Sequence, residues 1–221
     1  MAVKYKIQEA TKRDNVVVMG PPLSGKTTWV NGQVDKAKTL FISTDGNALP
    51  GCQVAVVEDW ADLMEAIVYG AKGGGKGTIT TLVLDVLDDA VAFAEKKAQT
   101  DLGMTAGKTD SKGGYGKFQL RVGELVKESV LRPLLMSGKQ IYVVMHSMEN
   151  ADGDHVPCFG SYSKDATDIL NWVKGRSGMV VRTANYAGDF SVFIEAERVY
   201  AEPEKPAVAK RGKKEAENAA E

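Results

Sequence analysis

The sequence predicts an α/β fold: a mostly parallel sheet with helices on both faces and an antiparallel strand extension at its C-terminal end. Three observations predict it. Short apolar, β-branched runs alternate with segments of helical spacing, as in a parallel sheet covered on both sides. Those runs end on residues able to do chemistry, at Gly20, Asp45, Asp85 and His146. Ligands of such sheets bind beyond the C-terminal strand ends. Beyond residue 168 the alternation gives way to a cluster of strand-like runs.

Taken in order, 15–19 (NVVVM) reads as a buried strand after a polar arm, 1–14, and a helix should follow from 25 to about 37. Strands are expected at 40–43 (LFIS) and 54–57, and a helix at 60–69, where Leu63, Met64, Ile67 and Val68 have helical spacing. Residues 71–77 form a glycine-rich loop, and 78–84 (TITTLVL) a strand running into Asp85. A helix at 90–99 leads to a glycine- and lysine-rich loop, 103–116. A helix at 117–135 carries Val122, Leu125, Val126 and Val130 on one side. Pro133 should kink or end it, because its ring cannot donate to the preceding turn. Residues 140–145 (QIYVVM) form a buried strand ending at His146, followed by a polar loop, 147–163. Strands at 169–173, 179–183 and 191–199 close the fold, with a hairpin turn at 185–189. One domain, 15–200, is expected between the arm and a charged tail, 201–221, rich in Ala, Glu and Lys and expected to be disordered.

A formal net charge of -1 excludes a globally basic protein but leaves room for a local basic stripe. No apolar run approaches the ~18 residues of a membrane span, and the polar start has no signal-peptide core. Cys52 and Cys158 form no CxxC pair and fit a reducing compartment, so a cytoplasmic location is expected.

The most specific signal is Gly20-Pro21-Pro22-Leu23-Ser24-Gly25-Lys26-Thr27, a complete GxxxxGK[ST] phosphate loop followed by Thr28. Glycines let the backbone wrap a polyphosphate, and N–H groups at the helix start meet the anion. Pro21 and Pro22 carry no N–H, so the cradle should run from about Leu23 to Thr28. Lys26 should reach the β- and γ-phosphates of ATP, and the Thr27 hydroxyl should ligate Mg²⁺. Asp85, ending an apolar strand, is the expected second Mg²⁺ ligand, direct or through water. Asp88 and Asp89 should face solvent at a helix start. Asp45 is the candidate water-activating carboxylate, a turn aspartate before Gly46 being the alternative, with Glu149 the next candidate. His146 is the candidate γ-phosphate sensor; a histidine satisfied by local backbone is the alternative. His155 reads as a plain loop residue.

The blocks GPPLSGKTT, FISTDG, TLVLD, GGYGKFQLRVGELV and IYVVMHSME together resemble the RecA-like core of phage P-loop proteins. These form a small nucleotide-binding family with an AAA-type label, some of whose members are single-strand annealing recombinases. The resemblance covers about residues 15–200 and implies a RecA-like P-loop ATPase acting in phage recombination or annealing. It places the catalytic carboxylate at Asp45, shorter than the usual glutamate, and puts His146 where a Gln sensor is usual. The residue after Asp85 is Val86, where AAA+ and terminase motors carry Glu. It implies DNA-contacting loops at about 103–121 and 147–163, so Lys108, Lys112, Tyr115, Lys117 and Arg121 become candidate single-stranded DNA contacts. It also implies a homo-oligomer, ring or filament, in which a basic residue of a neighbour completes the site. Arg198 is the first candidate, with Arg176 and Arg182 behind it. A single-strand-binding protein is a possible further partner. Two other readings stay open: a nucleotide-gated assembly protein without turnover, and a small-molecule P-loop kinase, against which the absence of arginine in 103–120 counts.

Overall fold

The computed structural model describes residues 15–45, 51–104, 115–153, 155–159 and 163–197. Eight strands form a sheet: β1 (Val16–Gly20), β2 (Thr39–Ser43), β3 (Gln53–Val56), β4 (Thr81–Asp85), β5 (Gln140–Glu149), β6 (His155–Pro157), β7 (Met179–Tyr186) and β8 (Asp189–Glu197). Their order is β3-β2-β4-β5-β1-β7-β8, with β6 paired to the end of β5. All neighbours from β3 to β7 are parallel; β8 returns antiparallel along β7, and β6 antiparallel along β5. The expected mostly parallel sheet with an antiparallel C-terminal extension is therefore what the chain forms.

The helices are α1 (Lys26–Gln33), α2 (Trp60–Ala71), α3 (Leu87–Asp101), α4 (Tyr115–Glu124), α5 (Arg132–Leu135) and α6 (Ser163–Lys174). Two apolar layers result, one on each face of the sheet. Val16, Val18, Phe41, Val83, Tyr142, Val144 and Val181 pack with Val30 of α1. The alternate strand residues, Val17, Met19, Ile42, Leu84, Val143 and Met145 among them, pack with Leu63 and Ile67 of α2, Val91 of α3, Val122 of α4, Leu134 of α5 and Ile169 of α6. Such alternation follows from the period of two along a strand.

Three expectations need correction. Residues 169–173 are not a strand but part of α6, where Ile169, Leu170 and Val173 are buried at helical spacing. β5 does not end at His146; it continues to Glu149, because β6 supplies it with an antiparallel partner. Pro133 does not end its helix, which runs on to Leu135. Between α4 and α5 the chain runs through a π-helical stretch, Leu125–Leu131, and the Arg132 N–H bonds to the Lys127 carbonyl five residues back. The expected arm, 1–14, and tail, 201–221, lie outside the described residues.

Candidate active site

β1 delivers the loop 20–25 to the C-terminal edge of the sheet, and α1 opens directly behind it. Gly20 has to be glycine. A Cβ there would collide with Thr183 of β7 and lie 2.6 Å from the Ser24 hydroxyl. Gly25 sits at φ 81°, a left-handed conformation that suits glycine, and the Phe190 ring of β8 covers it. The loop is tied to the β7–β8 hairpin: the Ser24 and Thr183 hydroxyls are 2.6 Å apart, and the Asn185 amide donates to the Leu23 carbonyl at 3.3 Å. Thr183 and Asn185 lie on β7, and no motif in the sequence marks them.

Lys26 is buried and folds back on its own loop, its Nζ donating to the Gly20 carbonyl (3.1 Å) and the Pro21 carbonyl (2.8 Å). Burial pulls its ammonium below the usual lysine range, and Asp85 first, then Asp88, pull it back. Thr27 Oγ1 donates to Asp85 Oδ2 at 2.8 Å. Asp85 is 1% exposed, and its Oδ1 has no hydrogen-bond partner among the described residues. Burial is the main reason its carboxyl is pushed up to about 6; the Thr27 hydrogen bond works against this, and Asp45 adds to it. A hydroxyl beside a buried carboxylate with one oxygen unsatisfied is a donor set that fits Mg²⁺, a hard cation that takes few protein ligands and keeps several waters.

Asp45 lies two residues beyond β2, exposed, and its Oδ1 accepts from the Ser43 hydroxyl at 3.2 Å. His146 is in register with Gly20 on the neighbouring strand. Counting from Val144 and Val83, which pack on the α1 side, His146 and Asp85 have the parity of that same face. Asp88 and Asp89 do not face solvent as expected. Asp88 Oδ2 accepts the His146 backbone N–H at 2.9 Å, and its Oδ1 lies 3.6 Å from His146 Nδ1. Asp89 accepts from the Thr44 hydroxyl at 3.1 Å, and burial raises its carboxyl. The same Thr44 oxygen receives the Val86 N–H at 2.8 Å, which joins the end of β2 to the start of α3. Acids in a first helical turn were visible in the sequence; their partners, 45 and 58 residues away, were not.

The structure brings Gly20, Lys26, Thr27, Asp85 and His146 to one strand edge, with Pro21, Pro22, Leu23, Ser24, Gly25 and Thr28 around them. The candidate DNA residues are not gathered there. Lys117 and Arg121 belong to α4 and not to a loop. Lys117 is exposed, and Arg121 pairs with Asp101 (2.7 Å) and Glu124 (3.4 Å). Lys108, Lys112, Arg198 and the Tyr115 side chain lie outside the described residues. Arg182 is 3.0 Å from Glu195, and Arg176 stacks on Trp172 with its guanidinium 3.9 Å from the ring centre. His155 is not a plain loop residue but starts β6.

A family model described as an AAA domain matches residues 12–198. The chain belongs to the AAA domain family. Its phosphate loop and the Thr27–Asp85 contact thus sit in a nucleotide-binding P-loop domain of that family. No curated protein matches it. Among solved structures, the P4 protein from bacteriophage phi13 is 12% identical with a TM-score of 0.37, over 82% of this chain and 58% of that one. The P4 protein from bacteriophage phi6 in complex with ADP is 15% identical with a TM-score of 0.37, over 80% and 52%. This AAA domain chain therefore spans little more than half the length of those proteins. No helix among its described residues is long and apolar enough to cross a membrane.

Proposed function

We propose that this chain is a RecA-like ATPase that binds Mg²⁺–ATP and single-stranded DNA, works as a homo-oligomer, and serves phage recombination or annealing. The observation that carries the nucleotide part is the Thr27–Asp85 contact at the mouth of the phosphate loop. In this reading the backbone N–H groups of 23–28 hold the phosphates. Lys26 leaves the Gly20 and Pro21 carbonyls to meet the β- and γ-phosphates, while Thr27 and Asp85 hold the metal. Mg²⁺, when bound, neutralises charge on the phosphate oxygens. Asp45 takes the proton of the attacking water, and His146 meets the γ-phosphate from between the two strands that carry the loop and Asp85.

DNA binding is supported by the composition of 103–121 and by the resemblance, with exposed Lys117 and the ion-paired Arg121 as its described cations; Lys108, Lys112 and Tyr115 would add charge and a stacking ring. The oligomer is supported by an apolar stripe on edge strand β8. Phe190, Val192 and Ile194 share one face, all are exposed, and Phe190 touches the phosphate loop. A neighbour covering the stripe would bring a basic residue, Arg198 foremost, to the next site. One assay tests the whole reading: phosphate release from ATP with and without Mg²⁺, and with and without single-stranded DNA. Metal-dependent turnover that rises with DNA is the expected result. Turnover indifferent to DNA would remove the recombination part. The second reading, a nucleotide-gated assembly protein, is favoured by the exposure of Asp45 and its short side chain, and it predicts tight binding without turnover.

A further inference from the structure

Asp88 stands three residues beyond Asp85, in the first turn of α3, and its side chain is only 12% exposed. A carboxylate in a first helical turn ordinarily faces the helix dipole and water. This one turns to β5. Its Oδ2 accepts the His146 N–H at 2.9 Å, and the His146 carbonyl accepts the Cys158 N–H at 3.1 Å. Both backbone polar groups of His146 are thereby held, so rotation of the ring is the freedom that remains. Asp88 Oδ1 is buried, has no hydrogen-bond partner among the described residues, and lies 3.6 Å from His146 Nδ1. A small rotation of the imidazole closes that gap to a hydrogen bond. A buried acceptor without a donor is costly, and this ring nitrogen can supply the donor.

We infer that Asp88 is the positioning residue for His146: it anchors Nδ1–H so that Nε2 faces the phosphates, and so lets the site tell ATP from ADP. This rests on the nucleotide-site reading above. The ring then bridges Asp88 at one nitrogen and a γ-phosphate oxygen at the other. With ADP the γ-phosphate is missing and that bridge is not formed. Asp88 therefore acts on discrimination rather than on nucleotide binding as such.

The test uses the full chain and measures the affinities of Mg²⁺–ADP and of a non-hydrolysable Mg²⁺–ATP analogue. Asp88→Asn keeps an oxygen for the His146 N–H but removes the charge facing Nδ1. We expect it to lower the preference for the ATP analogue about 5–10-fold, a loss in the range of an ordinary net hydrogen bond, with ADP affinity unchanged. His146→Ala should lower it similarly, and the double variant no further. The chain has two histidines, so ¹⁵N spectra can report on His146 without mutation of the site. In the free protein Nδ1, the nitrogen facing Asp88, should carry a proton. An unchanged preference in Asp88→Asn, an additive loss in the double variant, or a proton on Nε2 alone in the free wild type would each overturn the inference. Failure of the underlying reading looks different: Lys26→Ala would then bind both nucleotides as the wild type does.

Discussion

The two faces of the sheet are built from the same strands, yet among the described residues one is covered by α1 alone and the other by α2 to α6. The difference follows from direction. Crossovers between parallel strands are right-handed almost without exception, so the direction of travel selects the face. From β1 the chain moves through α1 toward the β3 edge. The connections β3–α2–β4, β4–α3–α4–α5–β5 and β5–α6–β7 all move toward the β8 edge, and their helices accordingly share the other face. The thinly covered face is the one that holds the phosphate loop, Thr27 and the buried Asp85. Chemistry has room where one short helix does the covering, and stability comes from the face where five helices pack.

That division can be broken from either side. The largest expected effect is from Lys26→Ala, which should cut productive ATP use on the order of 100-fold or more, because the charge on the transferring phosphates is gone. Its melting temperature should stay near that of the wild type, and a clear drop in stability would mean that Lys26 serves packing instead. On the other face, Leu131→Ala empties a fully buried site and should cost about 2–5 kcal/mol in denaturant unfolding. ATP affinity measured well below its melting point should be unchanged.

Asp85→Asn sharpens the comparison by reversing the sign. The carboxyl is pushed from 3.8 up to about 6, so the folded state holds the proton more tightly than the unfolded chain. The resulting stability is present below pH 3.8 and is lost as pH rises through 6. Asp85→Asn avoids that loss. It should be more stable than wild type at pH 7.5, by up to about 3 kcal/mol, and indistinguishable from it near pH 3.5. Urea melts at the two pH values would check this, and turnover with Mg²⁺ should vanish in the same variant. The smallest effect on stability is expected from Ile194→Asp, on the exposed stripe of β8: within about 0.5 kcal/mol for the monomer. Self-association, followed by light scattering with ATP, should weaken. Unaltered association would separate that stripe from the oligomer.

Much of this was legible in the residues because it is local. The phosphate loop is one contiguous motif, and strands such as Val16–Gly20 and Thr81–Asp85 are continuous apolar runs. The misreading of 169–173 has a local cause too. A five-residue window cannot tell a buried strand from a buried helix turn, and Ile169, Leu170 and Val173 fit both until Ser163–Lys174 is taken whole. What stayed hidden was contact at long separation. Asp88 reaches His146 across 58 residues, and Thr183 meets Ser24 across 159, and neither pairing leaves a periodic trace. The extension of β5 past His146 was hidden likewise, since its partner β6 is too short, at three residues, to read as a strand.

The π-helical stretch ahead of Pro133 sets the phase of the whole α4–α5 rod. In an α-helix the proline ring would press on the carbonyl of residue 129; in the wider turn, bonding reaches one residue further back. That turn stores one surplus residue. Removing a residue from Leu125–Leu131 would let the rod wind as a plain α-helix, and the two halves would then disagree by about 100° of rotation, the angle one α-helical residue spans. Either Phe118 and Val122 or Leu134 would swing out of the core. The segment thus works as a spacer in angle rather than in length, and a one-residue deletion there should be tolerated less well than an equal change in the 71–77 loop.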